Sequence, residues 1–158
     1  MQLAPVALSA ENFVVYGDVV EHRGSESRRV LRTPFSSASP DVRHRFTVNH
    51  LIRVAARTVQ VKELERHPFS AQTFIPLSGS RHLVVVALSD AQGKLDPATL
   101  QAFITNGHQG VSYRPGVWHF AFTAIDADAQ VAVILGLTGR DNDTEYTTLP
   151  TSADVTLF

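Results

Sequence analysis

The feature that most constrains the fold is a series of short runs of β-branched and aromatic residues, separated by turn residues at fairly regular intervals, from Val48 onward. Such runs predict strands, because these side chains pack well on a pleated surface. Helical signals are confined to a turn of helix after Ser9 and to a segment that begins at Asp96-Pro97 and continues through Phe103. The pattern predicts an all-β sandwich or barrel with one or two short helices. The predicted strands are 48–55, 58–66, 72–77, 82–88, 111–114, 117–124 and 129–137.

Length and hydropathy predict one domain without a membrane span. A chain of 158 residues with 44% hydrophobic content can bury one core, so we expect a single domain over residues 1–158. The longest apolar runs, 83–88 and 131–135, are far shorter than the roughly 20 residues that cross a bilayer. The first residues carry no positive charge ahead of an apolar segment, so we expect no secretion signal and a cytoplasmic location.

The amino-acid composition excludes several kinds of functional site and makes a nucleic-acid partner unexpected. The chain has no cysteine, which excludes disulfides, thiolate metal sites and cysteine nucleophiles. Its formal net charge of −1 provides no overall field for nucleic acid, and we expect no such partner. Residues 23–41 are rich in Arg, Ser and Pro and predict a long irregular connection.

Residues 61–68 contain a cluster of ionisable groups in a predicted strand. Side chains alternate between the faces of a strand, so Glu63, Glu65 and His67 are expected to share one face. Pro68 favours the extended conformation for the residue that precedes it. A solvated edge strand would show the same pattern, so the spacing of more distant residues has to decide between the two interpretations.

That spacing resembles the cupin signature. Glu65-x-His67, four residues, Gln72, six residues and Gly79 reproduce the register of the first cupin motif, with Glu65 and Gln72 replacing its usual histidine and glutamate. Residues 113–119, Tyr-Arg-Pro-Gly-Val-Trp-His, resemble the second motif and end at His119. The resemblance implies a double-stranded β-helix, the jelly-roll barrel of cupins, with both motifs lining one pocket.

The chain resembles the ureidoglycolate lyase family more closely than cupins in general. Family members usually continue Trp-His-His-Pro, whereas this chain has Phe120 and Ala121 after Trp118-His119, so a second histidine is lost. Residues 35–46 also lack a clear counterpart of the family pattern. The segments that carry the resemblance are 64–68 (Leu-Glu-Arg-His-Pro), 72–77 (Gln-Thr-Phe-Ile-Pro-Leu), 83–88 (Leu-Val-Val-Val-Ala-Leu), 100–107 (Leu-Gln-Ala-Phe-Ile-Thr-Asn-Gly), 109–113 (Gln-Gly-Val-Ser-Tyr), 117–119 (Val-Trp-His), 16–20 (Tyr-Gly-Asp-Val-Val) and 141–143 (Asp-Asn-Asp).

The resemblance implies cleavage of ureidoglycolate to glyoxylate and urea, which needs a base for the hydroxyl proton and an acid for the departing nitrogen. Glu65 and His119 are the candidates for these two roles, and His67 is the third catalytic candidate. Whether Glu65 or His119 is the base stays open. The expected substrate-binding residues are Arg57, Gln72, Tyr113 and Trp118.

The same polar residues provide an alternative role as metal ligands. Glu65, His67, Gln72 and His119 form a donor set for a divalent ion, and the resemblance implies nickel, with manganese or zinc as further candidates. A histidine bound to metal has no lone pair left for proton transfer, so His119 cannot fill both roles at once. A site without any metal stays an equal alternative.

The cupin-like sequence is also compatible with two other functions. Another cupin enzyme, such as a metal-dependent dioxygenase or isomerase, or a non-catalytic small-molecule-binding cupin would share the fold. We expect a homodimer, because cupin barrels pair through edge strands and a small domain gains burial by pairing. The histidines outside the motifs are expected at the surface, and these are His22, His44, His50, His82 and His108.

Overall fold

A computed structural model describes residues 1–157. In chain order the elements are β1 (Val6–Ala7), α1 (Ala10–Phe13), β2 (Gly17–Val20), β3 (Arg43–Leu51), β4 (Thr58–Arg66), β5 (Gln72–Pro76), β6 (His82–Ala87), a 3-10 turn (Pro97–Thr99), β7 (Gln101–Ile104), β8 (Gly110–Tyr113), β9 (Trp118–His119), β10 (Thr123–Ala124), β11 (Ala129–Leu137) and β12 (Glu145–Thr156). None of the helices formed by these residues has the length and apolar character needed to span a bilayer.

The strands form two sheets. The first sheet has the order β1-β7-β6-β9-β4-β12, with β10 beside β6, and the second has the order β2-β8-β5-β11-β3. Every strand pair except β1 with β7 is antiparallel. Both sheets curl and together form a half-barrel, which confirms the predicted all-β, cupin-like fold.

Strand β6 is the centre of the packing, because all six of its residues are buried. Its side chains alternate between two apolar clusters, with Val84 and Val86 on one face and Leu83, Val85 and Ala87 on the other. A strand that is covered on both faces is a near-continuous apolar run, as residues 83–87 are. The first cluster lies between the two sheets, where it also includes residues of β5, β8 and β11.

Strand β4 changes faces just before the candidate site. Val59, Val61 and Leu64 all belong to the second apolar cluster, although strict alternation would place Leu64 on the opposite face from Val61. The pairing with β12 shifts at the same place, where residues 149–152 of β12 lie opposite Lys62 alone. Such a bulge re-aims the side chains that follow it. Glu65 is therefore set on the face opposite Leu64.

The turn at Pro115-Gly116, within the second motif, is hydrogen-bonded to the first motif. Gly116 has φ +81°, as predicted for a type II turn, and the Val117 amide donates to the Arg114 carbonyl at 3.2 Å. The Gly116 amide also donates to the carbonyl of His67 at 2.9 Å. The backbone of the second motif is thus hydrogen-bonded to the end of the first.

Several expectations on elements were wrong. The segment after Asp96 forms one 3-10 turn rather than a helix through Phe103, because residues 101–104 pair with β6 and bury Ala102 and Phe103. The predicted strand 117–124 is broken after His119. Strand β12 was not predicted. The bounds 58–66 and 129–137 are confirmed, and residues 23–41 form no strand or helix, as expected.

Candidate active site

The core of the site is the contact between β4 and β9. Glu65 lies directly opposite His119 in the antiparallel ladder. One carboxylate oxygen of Glu65, Oε1, lies 3.4 Å from Nε2 of His119 and 4.0 Å from Nε2 of His67. One ligand atom from each of these three residues lies within 4.8 Å of the others. The sequence-predicted catalytic residues therefore come together in space.

Backbone contacts fix the orientation of both imidazoles. Nδ1 of His119 lies 2.9 Å from the Val117 carbonyl, and Nδ1 of His67 lies 3.2 Å from the Asp143 carbonyl. A carbonyl oxygen only accepts hydrogen bonds, so Nδ1 of His119 carries the proton. Nδ1 of His67 also lies 3.1 Å from the Thr144 hydroxyl, and it donates to the Asp143 carbonyl when it is protonated. Nε2 of each ring faces Glu65, and in His119 this atom has a lone pair when the ring is neutral and a proton when the ring is charged.

Four buried polar atoms around this cluster have no hydrogen-bond partner among residues 1–157. They are Nε2 of His67, Nε2 of His119, Oε1 of Gln72 and the hydroxyl of Tyr113. Although Nε2 of His119 is close to Glu65, the pair does not meet hydrogen-bond geometry, so the contact is electrostatic. Buried polar atoms in native proteins are almost always paired. Four unpaired atoms at one place indicate a site where a ligand supplies the missing partners.

The second sheet places Gln72 and Tyr113 beside the histidines. These two residues are direct partners in the β5–β8 ladder. The Tyr113 ring stacks on the His119 ring with centroids 4.4 Å apart and planes 19° from parallel. Both residues are buried, and through the Tyr113 ring they bring the second sheet against His119 of the first.

The charges of the site are set by contact and burial. Contact with the His119 imidazole lowers the pKa of the Glu65 carboxyl, although partial burial acts in the opposite direction. Burial lowers the pKa of His67, and the neighbouring His119 adds to this effect. Burial also raises the pKa of Tyr113. At neutral pH the site therefore holds an ionised carboxylate, a neutral His67 and a protonated phenol.

A cavity of about 320 Å³ opens beside Glu65 and His119. Residues 120–121, which follow β9, contribute to its wall together with Gln60, Lys62 and Glu63 of β4. Tyr146 lies opposite Glu65 in the β4–β12 ladder and also lines the cavity. The negative charge of Glu65 raises the pKa of Tyr146.

Lys62 and Tyr146 were not predicted from the sequence as site residues. Lys62 could have been predicted, because it is a cation three residues before Glu65 in the sequence. Tyr146 could not, because it belongs to β12, a strand that was not predicted. Glu63 is exposed and lies outside the group formed by Glu65, His67 and His119. Of the three ionisable groups expected on one face of β4, Glu65 and His67 therefore belong to the cluster, whereas Glu63 does not.

Two of the expected substrate-binding residues lie elsewhere. Arg57 precedes β4, eight residues from Glu65 along an extended strand, which corresponds to roughly 26 Å. Trp118 points away from His119 into the second apolar cluster, where its indole N–H donates to Ser89 and the Arg66 guanidinium lies over its ring. The structure therefore does not bring Arg57 or Trp118 into the site.

The surface placement expected for His82 is wrong. The side chain is fully buried, and its ring stacks on Phe122 with centroids 4.3 Å apart. Neither ring nitrogen has a hydrogen-bond partner among residues 1–157. Burial lowers the pKa of His82 to about 4. The other four histidines outside the motifs are exposed, as expected.

The donor set of the site fits a divalent metal ion. Two imidazole Nε2 atoms and a carboxylate converge, and each imidazole is held by a backbone carbonyl through Nδ1, which is the usual support of a metal-bound histidine. Gln72 Oε1 is a fourth candidate ligand atom, and it has no hydrogen-bond partner among the described residues. The residues expected as ligands therefore suit a metal as well as proton transfer.

Comparisons with known proteins identify the family of the chain. The model of the family described as Ureidoglycolate lyase matches residues 1–156. The chain is 38% identical over 127 residues to a ureidoglycolate lyase of Salmonella typhimurium, an alignment that covers 75% of this chain and 78% of that protein. Ureidoglycolate lyases of Salmonella paratyphi B and Salmonella newport are each 37% identical over the same coverage. The chain belongs to the ureidoglycolate lyase family.

Proposed function

We propose that this chain is a carbon–nitrogen lyase that cleaves ureidoglycolate into glyoxylate and urea in a single domain. The observation that carries the proposal is the contact between the half-buried Glu65 and the buried His119 beside a cavity, in a chain of this family. Cleavage requires a proton acceptor and a proton donor within reach of one carbon atom. These two side chains supply both in adjacent positions.

In the proposed reaction, the ionised carboxylate of Glu65 takes the proton of the substrate hydroxyl. The oxygen's electron pair forms the carbonyl of glyoxylate while the carbon–nitrogen bond breaks. The bonding electrons pass to the departing nitrogen, which accepts a proton and leaves as urea. Glu65 suits the base because its lowered pKa keeps it ionised at neutral pH.

His119 suits the acid. Its Nδ1 proton is held by the Val117 carbonyl, so Nε2 is the atom that faces the site. It takes up the proton that Glu65 removed from the hydroxyl and passes it to the departing nitrogen. Glu65 lies next to this atom, so the proton taken from the hydroxyl has a short path to it.

Gln72, Tyr113 and His67 orient the substrate in this proposal. The Tyr113 phenol stays protonated and can donate a hydrogen bond, while Gln72 Oε1 and His67 Nε2 can accept hydrogen bonds from the amide hydrogens of the ureido group. Each of these atoms is buried and unpaired among the described residues, so binding would remove its desolvation cost.

A divalent ion on Glu65, His67 and His119 would lower the pKa of a bound hydroxyl and hold the substrate's oxygens. It would also occupy the Nε2 lone pair of His119, which therefore serves either as ligand or as acid. Elemental analysis of the purified protein, repeated on His67→Ala, separates the two roles. Loss of a stoichiometric metal in the variant assigns the histidines as ligands, whereas a metal-free active enzyme assigns His119 as acid.

The test of the function is product analysis. The purified chain is incubated with ureidoglycolate, and glyoxylate, urea and ammonia are quantified together. Equal amounts of glyoxylate and urea are expected. Glyoxylate with ammonia in place of urea would identify a hydrolase instead, and turnover of neither kind would refute the proposal.

We also infer that the protein forms a homodimer through β3. This nine-residue edge strand is exposed along almost its whole length and leaves one row of backbone groups unpaired among residues 1–157. Its face that points away from the barrel includes Phe46 and Val48, which are 65% and 58% exposed. A long apolar edge is a template for pairing with another strand, and a second copy of the same strand is the partner that gives a closed two-fold pair.

A further inference from the structure

We propose that Lys62 binds the carboxylate of the substrate, and this assignment rests on the proposed function. The substrate carries a permanent negative charge that neither the base nor a neutral histidine can balance. The carboxyl groups of Glu63 and Glu65 on the cavity wall cannot attract that charge. A cation elsewhere on the cavity wall is therefore needed to bind the substrate and to set its direction.

Lys62 is the single Lys or Arg side chain on the wall of the cavity that contains Glu65 and His119. Its ammonium group belongs to none of the ion pairs formed within 4.0 Å among residues 1–157. By contrast, Arg66 on the same strand is bound to Glu145 at 2.6 Å and covers a tryptophan ring. Lys62 thus keeps its charge available for a ligand.

The spacing of Lys62 suits a small substrate. It lies three residues before Glu65, about 10 Å along an extended strand. A flexible lysine side chain covers part of this distance, so its ammonium can reach a carboxylate while the reacting carbon lies at Glu65 and His119. Arg57, the residue that the sequence suggested for this role, is far outside such a reach.

The backbone at Lys62 is irregular in a way that favours a functional position. Residues 149–152 of β12 bulge opposite this residue, so it has no cross-strand partner in the ladder. Bulges concentrate next to active sites, where they redirect side chains. The same irregularity moves Leu64 into the apolar cluster and sets Glu65 toward the site, so it connects the two residues.

The experiment compares Lys62→Ala, Lys62→Arg and Lys94→Ala with the unmodified chain. Lys94 is the only other lysine of the sequence, and it is exposed and outside this cavity, which makes it a matched control. Lys62→Ala should raise KM for ureidoglycolate about 10- to 100-fold, as expected for the loss of a charge-assisted contact. Its kcat should change little, Lys62→Arg should restore most of the affinity, and Lys94→Ala should match the unmodified chain.

Inhibition separates a charge contact from a general disturbance of the cavity. Glyoxylate carries the carboxylate, whereas N-(hydroxymethyl)urea is the substrate without it. Lys62→Ala should weaken inhibition by glyoxylate and leave inhibition by N-(hydroxymethyl)urea unchanged. An unchanged KM, or equal weakening of both inhibitors, would overturn the assignment while leaving the lyase function in place. An unmodified chain that releases no urea would overturn both.

Discussion

Glu65 and His119 are 54 positions apart in the sequence, yet they are direct neighbours across two strands. The spacing of the two motifs predicted this proximity, because it fixed which strand carries each residue. It did not predict the direction of every side chain. Trp118 was expected at the substrate but faces the opposite apolar cluster, as a neighbour of His119 in a strand has to do.

The burial of His82 is a second feature that the sequence did not predict. Its position beside a turn suggested the surface, but the strand that begins there is buried on both faces. Burial of a histidine without partners disfavours its charged form. The residue therefore couples the stability of the fold to pH.

We predict that the free energy of unfolding falls as the pH is lowered from 6.5 to about 4 because of His82. The unfolded chain binds a proton near the ordinary pKa of 6.5, whereas the folded chain resists it until the pKa of about 4. The loss attributable to this residue is about 3 kcal/mol. Denaturant unfolding of the unmodified chain and of His82→Leu at several pH values measures it.

The comparison between the two proteins removes the contribution of the carboxylates, which are the same in both. The gap between the unmodified chain and His82→Leu should change by about 3 kcal/mol over that range. A gap that is constant with pH would contradict the assigned protonation.

Strands β4 and β11 could be predicted to the residue because each contains several β-branched residues and is followed by a turn signal, Pro68 after β4 and Gly139 after β11. Strand β12 could not, because residues 145–156 contain Thr, Glu and Pro without a regular apolar alternation. Its pairing with β4 provides the missing signal, and it brings Tyr146 to the cavity. The error at β7 has a similar cause, since burial against β6 outweighed the helix-start signal of Asp96-Pro97.

Strands β2 and β8 approach each other closely at Gly17. A Cβ added at Gly17 would lie 1.9 Å from the carbonyl oxygen of Ser112, whereas a Cβ at Gly79 would meet no atom within 4 Å. Gly17→Ala should force β2 away from β8 and lower the free energy of unfolding by about 2 kcal/mol or more. Gly79→Ala is the control and should have a much smaller effect, and chemical denaturation compares the two.

The lyase activity of Gly17→Ala should also be lower than that of Gly79→Ala. Gly17 pairs with Tyr113, whose ring stacks on His119, so displacement of β2 should also reduce turnover. A Gly17→Ala protein as stable and as active as Gly79→Ala would show that the β2–β8 contact does not support the site.

The half-barrel leaves β3 at its edge with both faces exposed. The face that continues the inner surface of the barrel is polar at Arg45, Thr47 and Asn49, while the outer face is apolar at Phe46 and Val48. An arrangement of this kind is what a strand-to-strand dimer would cover, and the whole molecule would then have no long exposed apolar edge.

We predict that Phe46→Asp converts a dimer into a monomer, because a charge in the centre of the pairing edge would be buried without a partner. Light scattering coupled to gel filtration measures the change in mass. Val30→Asp alters a residue that is 79% exposed in the irregular connection, so it should leave the mass unchanged. A monomeric unmodified chain, or a Phe46→Asp variant of unchanged mass, would contradict the proposed pairing.

The account depends most on Glu65 as the base that acts beside His119. The direct test is the steady-state release of urea from ureidoglycolate by Glu65→Gln, with Glu26→Gln in the exposed connection as control. Replacing the carboxylate by an amide keeps the shape and removes the base, so kcat should fall about 100-fold or more while the control retains full activity. A Glu65→Gln enzyme that releases urea at the rate of the unmodified chain would contradict the account.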